Sequence, residues 1–188
     1  FTFFIVGNVA EDVVKAYAEK YIGSIREGKK DKKVDGNVHS PFGTTKRVID
    51  IPMANNKSSV YVNIAKRMKT NKREVGYKHL ILARLMNMRY TEDIREKEGG
   101  TYGVSVSQGS SASPVSKYTL TMSFDTDPEK AEHLKSLIYK GLDSVAMYGP
   151  SAEELDKIKK SMLNSYEQSK PHNSYVMSTV FNYYMNGY

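Results

Sequence analysis

The spacing of apolar residues changes several times along the chain. "FTFFIVG" (1–7) is β-rich and ends in Gly7-Asn8, a strand-to-turn signal. "AEDVVKAYAEKYIGSI" then puts Val13, Val14, Tyr17, Ala18 and Tyr21 on one helical stripe, with Gly23 near its end. Residues 26–45 carry no apolar period and read as a linker. "TKRVIDIP" (45–52) predicts a strand stopped by Pro52. "SSVYVNIAKRM" (58–68) sets Val60, Val62 and Ile64 against Tyr61, Asn63 and Ala65, the alternation of a half-buried strand. From Glu74 to about Glu96 the period becomes helical through Val75, Leu82, Leu85, Met86 and Ile94, and Gly99-Gly100 closes that helix.

Alternation resumes in "TYGVSVSQ" (101–108). "GSSASP" (109–114) reads as loop. In "SKYTLTMSFDTD" (116–127), Tyr118, Leu120, Met122 and Phe124 face opposite to Thr119, Thr121 and Ser123. Asp127-Pro128 supplies an N-cap and a first-turn proline for a helix to about Tyr148, with Leu134, Leu137, Ile138 and Val145 inward. Gly149-Pro150 stops it. Ser151 and Glu154 form a capping box for the next helix, whose stripe is Leu155, Ile158, Met162 and Tyr166. Pro171 breaks that helix, and 174–186 predicts one more. The order β-α-linker-β-β-α-β-β-α-α-α predicts an α+β fold: an antiparallel sheet with helices packed on one face.

Composition alters this picture little. The chain has 188 residues, 39% hydrophobic and 26% charged, enough for one compact domain or one domain and part of another. No apolar run approaches the roughly 20 residues of a membrane helix, and no secretory signal pattern opens the chain. It starts without Met inside an apolar run and stops inside "FNYYMNGY", which reads as a piece of a longer protein. Absence of cysteine removes disulfides, thiol nucleophiles and Cys-zinc sites, and suits cytosol and periplasm equally; the bacterial periplasm or cell envelope is the compartment expected. Part of the net charge of +7 lies in "REGKKDKKVDGN" (26–37). No aromatic residue interleaves those lysines, so they read as a solvated linker and not as a nucleic-acid surface.

Recognisable chemistry is sparse. His39, His79, His133 and His172 lack a His partner at helical spacing, and neither H-E-x-x-H nor H-x-x-E-H occurs, so no metal site is expected in the chain itself. There is no G-x-S-x-G elbow and no Walker A loop. "GGTYGVSV" looks superficially like an RNA-recognition strand, but the spacing is off by one and the stacking positions are Val104 and Val106. One pair remains. Arg95 closes a long helix, Tyr102 opens the following strand, and the glycine pair between them can fold the strand back beside the helix end. A guanidinium and a phenol in one space could clamp a peptide carbonyl or a developing oxyanion. Spacing alone favours a plainer alternative, in which Arg95 caps helix carbonyls or pairs with an acid and Tyr102 packs half-buried.

The run "HLILARLMNMRYTEDIREKEGGTYGVSVS" resembles the non-zinc half of the insulinase/pitrilysin family of zinc metallopeptidases. There a long helix ends in Leu/Ile-Arg-Glu-Lys, followed by Gly and a Tyr seven residues after the Arg; here Ile94, Arg95, Glu96, Lys97, Gly99, Gly100 and Tyr102 stand in that order. "FTFFIVGNVAEDVVKAYAEKYIGSI" is similar to the family's strand-helix passage that closes one domain, and "FDTDPEKAEHLKSLIYKGLDSVAMYGPSAEELDKIKKSMLNSYE" to its late helix pair.

The resemblance implies a division into 1–25, a strand and helix left from a preceding domain, 26–45, a linker, and 46–188, a C-terminal peptidase-family domain. It implies that Arg95 binds a substrate backbone carbonyl and that Tyr102 donates to the scissile carbonyl or its oxyanion. Zinc and the H-x-x-E-H motif would belong to another domain, and the two halves of the clamshell would enclose a peptide or a small unfolded protein. The implied partners are that substrate and the zinc-bearing half, with no nucleic acid and no membrane span. The fragment would be inactive alone. The alternative is a catalytically dead homologue acting as a structural or assembly subunit.

Overall fold

A computed structural model describes residues 2–29, 43–52, 54, 56–68, 73–111 and 115–186. The fold is α+β, built on a three-stranded antiparallel sheet. β1 (Ser58–Arg67) and β2 (Val104–Ser111) flank the central strand β3 (Lys117–Thr126), giving the order β1-β3-β2. β3 shows why. Every second residue, Tyr118, Leu120, Met122, Phe124 and Thr126, is buried, which is the period a strand imposes when one face is covered. Register sets Val62 and Val106 opposite Met122, and Val104 opposite Phe124, so one apolar layer runs across all three strands.

The covering helices are α2 (Arg73–Tyr90) and α3 (Pro128–Tyr148), followed by α4 (Ala152–Ser169) and α5 (Asn173–Asn186). Ala83, Met86 and Tyr90 make the buried stripe of α2, continued by Ile94 just beyond its end, and Leu134 and Ile138 make that of α3. Tyr90 lies inside this core and its hydroxyl donates to the Ile138 carbonyl at 2.6 Å; burial raises its phenol pKa well above the ordinary value. Ser151 caps α4 through the expected reciprocal box: its Oγ accepts from Glu154 N at 3.1 Å, and its N–H donates to Glu154 Oε2 at 2.7 Å.

Four expectations need correction. Described residues 2–6 form no strand. Instead Phe4 packs edge-on against Phe181 and Tyr184 of α5, at 5.7 and 5.3 Å between ring centres, and the Thr2 hydroxyl hydrogen-bonds that of Tyr184 at 2.9 Å. Residues 45–52 also form no strand; Lys46 is tied to Glu132 of α3 at 3.0 Å, and Val48, Ile49 and Ile51 are exposed. β-rich composition favours an extended backbone but supplies no ladder partner, and neither segment has one among the described residues. β2 begins at Val104 rather than 101 and runs to Ser111, into the predicted 109–114 loop. Finally, α1 (Glu11–Tyr17) and α2 each end in a wider π-helical stretch, Ala18–Ile22 and Thr91–Lys97, which apolar spacing does not signal. Linker positions 30–42, His39 among them, lie outside the described residues.

Candidate functional site

Arg95 lies in the π-helical end of α2, Thr91–Lys97. Such widened turns recur at functional positions because they break the ordinary hydrogen-bond ladder and re-aim side chains. Ile94 anchors this turn, wholly buried in the core, and its neighbour Arg95 is exposed. Four of the neighbouring charges are engaged. Lys97 reaches Asp93 at 2.8 Å and Glu92 at 3.2 Å, and Glu98 meets His133 Nε2 of α3 at 3.1 Å. Asp93 first, then Glu92, raises the Lys97 pKa. Arg95 forms no hydrogen bond or ion pair with another described residue.

The chain then reverses. Glu98 caps the helix and Gly99 adopts φ +56°, the left-handed conformation glycine takes without penalty. Gly100 has a different task. A Cβ there would lie 2.9 Å from Leu134 Cδ1, so any side chain at 100 would require the buried Leu134 side chain to shift, and the Gly100 carbonyl accepts a 2.5 Å bond from Thr126 Oγ1. That bond satisfies the buried polar side chain Thr126.

Tyr102 follows at the tip. It precedes β2 instead of opening it, and it is 96% exposed. Its two neighbours close a small turn beneath it: Thr101 Oγ1 donates to the Gly103 carbonyl at 3.0 Å and accepts from Gly103 N at 3.2 Å. The plainer alternative required Arg95 to be paired or capping and Tyr102 to be half-buried. Among the described residues neither condition is met. Both polar tips flank one glycine reversal, and neither is engaged by another described residue.

A second feature is separate from this pair. Between α2, β2 and α4 lies an open groove of ≈ 680 Å³, whose polar lining includes Arg84, Asn87, Gln108 and Lys157. Arg84 donates to Ser161 Oγ at 3.0 Å, and Asn87 Oδ1 accepts from Val106 N of the edge strand at 3.1 Å. Its walls come from segments far apart in sequence, so no local motif marks it. Of the histidines, His79 stacks on Tyr118 with ring centres 3.4 Å apart; burial first, then Lys66, lowers its pKa. Among the described residues no group of three His, Cys, Asp or Glu could hold a metal ion, and no helix is long and apolar enough to cross a membrane.

A family model described as the peptidase M16 inactive domain matches residues 1–162. Among solved structures, the periplasmic protease PqqL from Escherichia coli aligns with a TM-score of 0.72 at 18% identity, over 96% of this chain and 20% of that one. The first half of the same protease aligns with a TM-score of 0.62 at 15% identity, over 96% of this chain and 40% of that one. A predicted insulinase family protease from Yersinia pestis gives 0.61 at 14%, with the same two coverages, 96% and 40%. Likeness at these identities is likeness of fold. The chain spans from a fifth to two fifths of these structures. No curated protein matches it significantly.

Proposed function

The chain belongs to the peptidase M16 inactive-domain family, and from that membership we propose that it is the substrate-binding domain of a larger zinc metalloendopeptidase, inactive by itself. The observation that carries the reading is the exposure of Arg95 and Tyr102 on either side of the Gly99 reversal, with neither tip engaged by another described residue. Arg95 presents a planar fork of N–H donors suited to a substrate backbone carbonyl. Tyr102 presents one O–H donor to the scissile carbonyl or to the oxyanion formed from it. A donor aimed at charge that develops only in the transition state is worth on the order of 3 kcal/mol.

Zinc, held by an H-x-x-E-H motif in another domain of the parent, would polarise the carbonyl and activate water. Within this reading residues 1–25 belong to a preceding domain, 26–45 link it to 46–188, and the two halves enclose a peptide or unfolded segment. The bacterial periplasm or cell envelope is the proposed compartment, by analogy with PqqL, described as a periplasmic protease.

The test is Tyr102→Phe in the full-length enzyme. It should lower kcat roughly 10- to 1,000-fold with zinc content unchanged; an unchanged kcat removes Tyr102 from the site. The parent sequence must also carry H-x-x-E-H. Its absence would leave the second reading, a structural or assembly subunit without activity.

A further inference from the structure

We propose that α5 is the surface on which the preceding domain of the parent protein docks, with residues 2–6 as the part of that domain at the seam. The proposal rests on the reading in which residues 1–25 belong to a preceding domain. α5 (Asn173–Asn186) contains no Asp, Glu, Lys or Arg. Ser174, Ser178 and Asn182, four residues apart, give it a neutral polar side. Its opposite side is apolar and aromatic, the kind of helix face that ordinarily packs on a core. Here it does not. Val176, Val180 and Tyr183 recur at helical spacing and are 40%, 43% and 68% exposed, and no described residue of α5 is buried. Tyr175, at the start of the helix, meets Tyr166 of α4 edge-on at 5.8 Å between ring centres. That contact leaves the later turns uncovered. A contiguous uncovered apolar face of this kind marks an interaction surface.

The occupant is indicated by what already sits there. Phe4 packs on Phe181 and Tyr184, and the Thr2 hydroxyl bonds that of Tyr184. This segment is two-sided. Phe4 and Val6 are half-buried, whereas Phe3 and Ile5 between and beside them are exposed. One side is thus committed to α5, and the other still presents large apolar side chains. The stripe Val13, Tyr17 and Tyr21, which follows in α1 and its π-helical end, is exposed as well. A body that covers Phe3 and Ile5 is held by the same short segment at the margin of α5, beside Val180 and Tyr183. Residues 2–9 carry no charged side chain, and neither does α5. The two surfaces therefore meet without burying an unpaired ion.

The experiment is photocrosslinking in the full-length parent, with p-benzoylphenylalanine in place of Tyr183. Peptide mapping after illumination should find the adduct on residues that precede Phe1 in the same polypeptide. A cross-linked dimer, an adduct confined to residues beyond 188, or no adduct at all would overturn the proposal. Val180→Glu gives an independent measure in the same protein. Glutamate is the better helix former, and a substitution on an exposed surface is close to neutral. A fall in stability therefore cannot come from the helix itself. Docking would bury the new carboxylate without a partner, and the melting temperature should drop by about 2–4 °C or more. An unchanged melting temperature would mean that the face stays open in the parent, and the proposal fails. The underlying reading fails in a different way. A parent with no domain before Phe1 removes the division at residues 1–25, and with it the proposed occupant. Tyr102→Phe with unchanged kcat removes the substrate site and leaves the cross-link map as it stands.

Discussion

Arg89 grips Glu154 with both arms of its guanidinium, Nε to Oε1 at 2.7 Å and Nη2 to Oε2 at 2.8 Å, while Nη2 also donates to the Gly149 carbonyl at 3.1 Å. One side chain of α2 therefore fastens the end of α3 to the start of α4, where Glu154 is already part of the capping box. The side chains of both residues are 21% exposed, so the pair is screened less than a surface ion pair, and Arg89→Ala should cost about 1–3 kcal/mol at neutral pH. The Arg89 hydrogen bonds hold the Glu154 carboxyl down to about 2, against 4.5 ordinarily. A depressed carboxylate contributes stability that is complete above the unfolded value and is lost as pH falls through the folded one. Urea unfolding should therefore show a wide gap between wild type and Arg89→Ala at pH 7 and a narrower one at about pH 3. Equal gaps at both pH values would mean that the charge of Glu154 contributes nothing.

Gly141→Ala should destabilise the core even though it lies within a helix. Alanine improves helix propensity by up to about 1 kcal/mol. Against that, a Cβ at 141 would stand 2.4 Å from Tyr90 Cε1 and 3.1 Å from its hydroxyl. The ring is buried and its hydroxyl is committed to the Ile138 carbonyl, so it cannot swing away without losing that bond. Overpacking of this kind costs about 1–3 kcal/mol, and the net change should lower the denaturation midpoint. A midpoint that rises would show that the Tyr90 ring has room to move.

Much of this architecture was legible in the sequence, and the failures share one cause. β3 was readable because burial of one face writes a two-residue period into Tyr118, Leu120, Met122 and Phe124. Ser151 and Glu154 announced the start of α4 because a capping box is chemistry between residues three apart. β-rich composition and a stop signal misled at 2–6 and 45–52, since they record strand propensity and not a partner across a ladder. Nor did spacing foresee the π-helical end of α2, the reach of Gly100 into Leu134, the bridge from Arg89 to Glu154, or the pairing of Glu98 with His133. Each joins residues or elements through geometry that no local pattern encodes. At Arg95 and Tyr102 the residues were named from sequence, while their exposure and lack of described partners came from the fold.

Gly99 separates conformational from steric effects in the loop. Its φ of +56° is left-handed, yet a Cβ there would meet nothing within 4 Å. Asparagine tolerates this conformation, whereas a β-branched residue is strongly disfavoured. Gly99→Asn should therefore leave both melting temperature and activity of the full-length enzyme close to wild type. Gly99→Val should lower stability by about 1–2 kcal/mol and reduce kcat/KM, because the reversal that separates Arg95 from Tyr102 would be displaced. Equal behaviour of the two variants would argue that the backbone shape at 99 does not matter to the site.

Arg95 and Tyr102 should separate kinetically. A contact made equally with bound substrate and transition state affects KM, whereas one that strengthens as charge develops affects kcat. In the proposed function Arg95, directed at an unreacting backbone carbonyl, belongs to the first kind. Arg95→Ala should raise KM about tenfold, the equivalent of ~1.4 kcal/mol, with kcat nearly unchanged. Arg95→Lys should recover only part of the loss, since an ammonium keeps the charge but not the planar fork. Because Arg95 is exposed and has no partner among the described residues, neither change should move the melting temperature. Steady-state kinetics on the full-length enzyme, beside Tyr102→Phe, decides the matter. A fall in kcat for Arg95→Ala as large as that for Tyr102→Phe would place both side chains on the reacting carbonyl and end the division of labour between them.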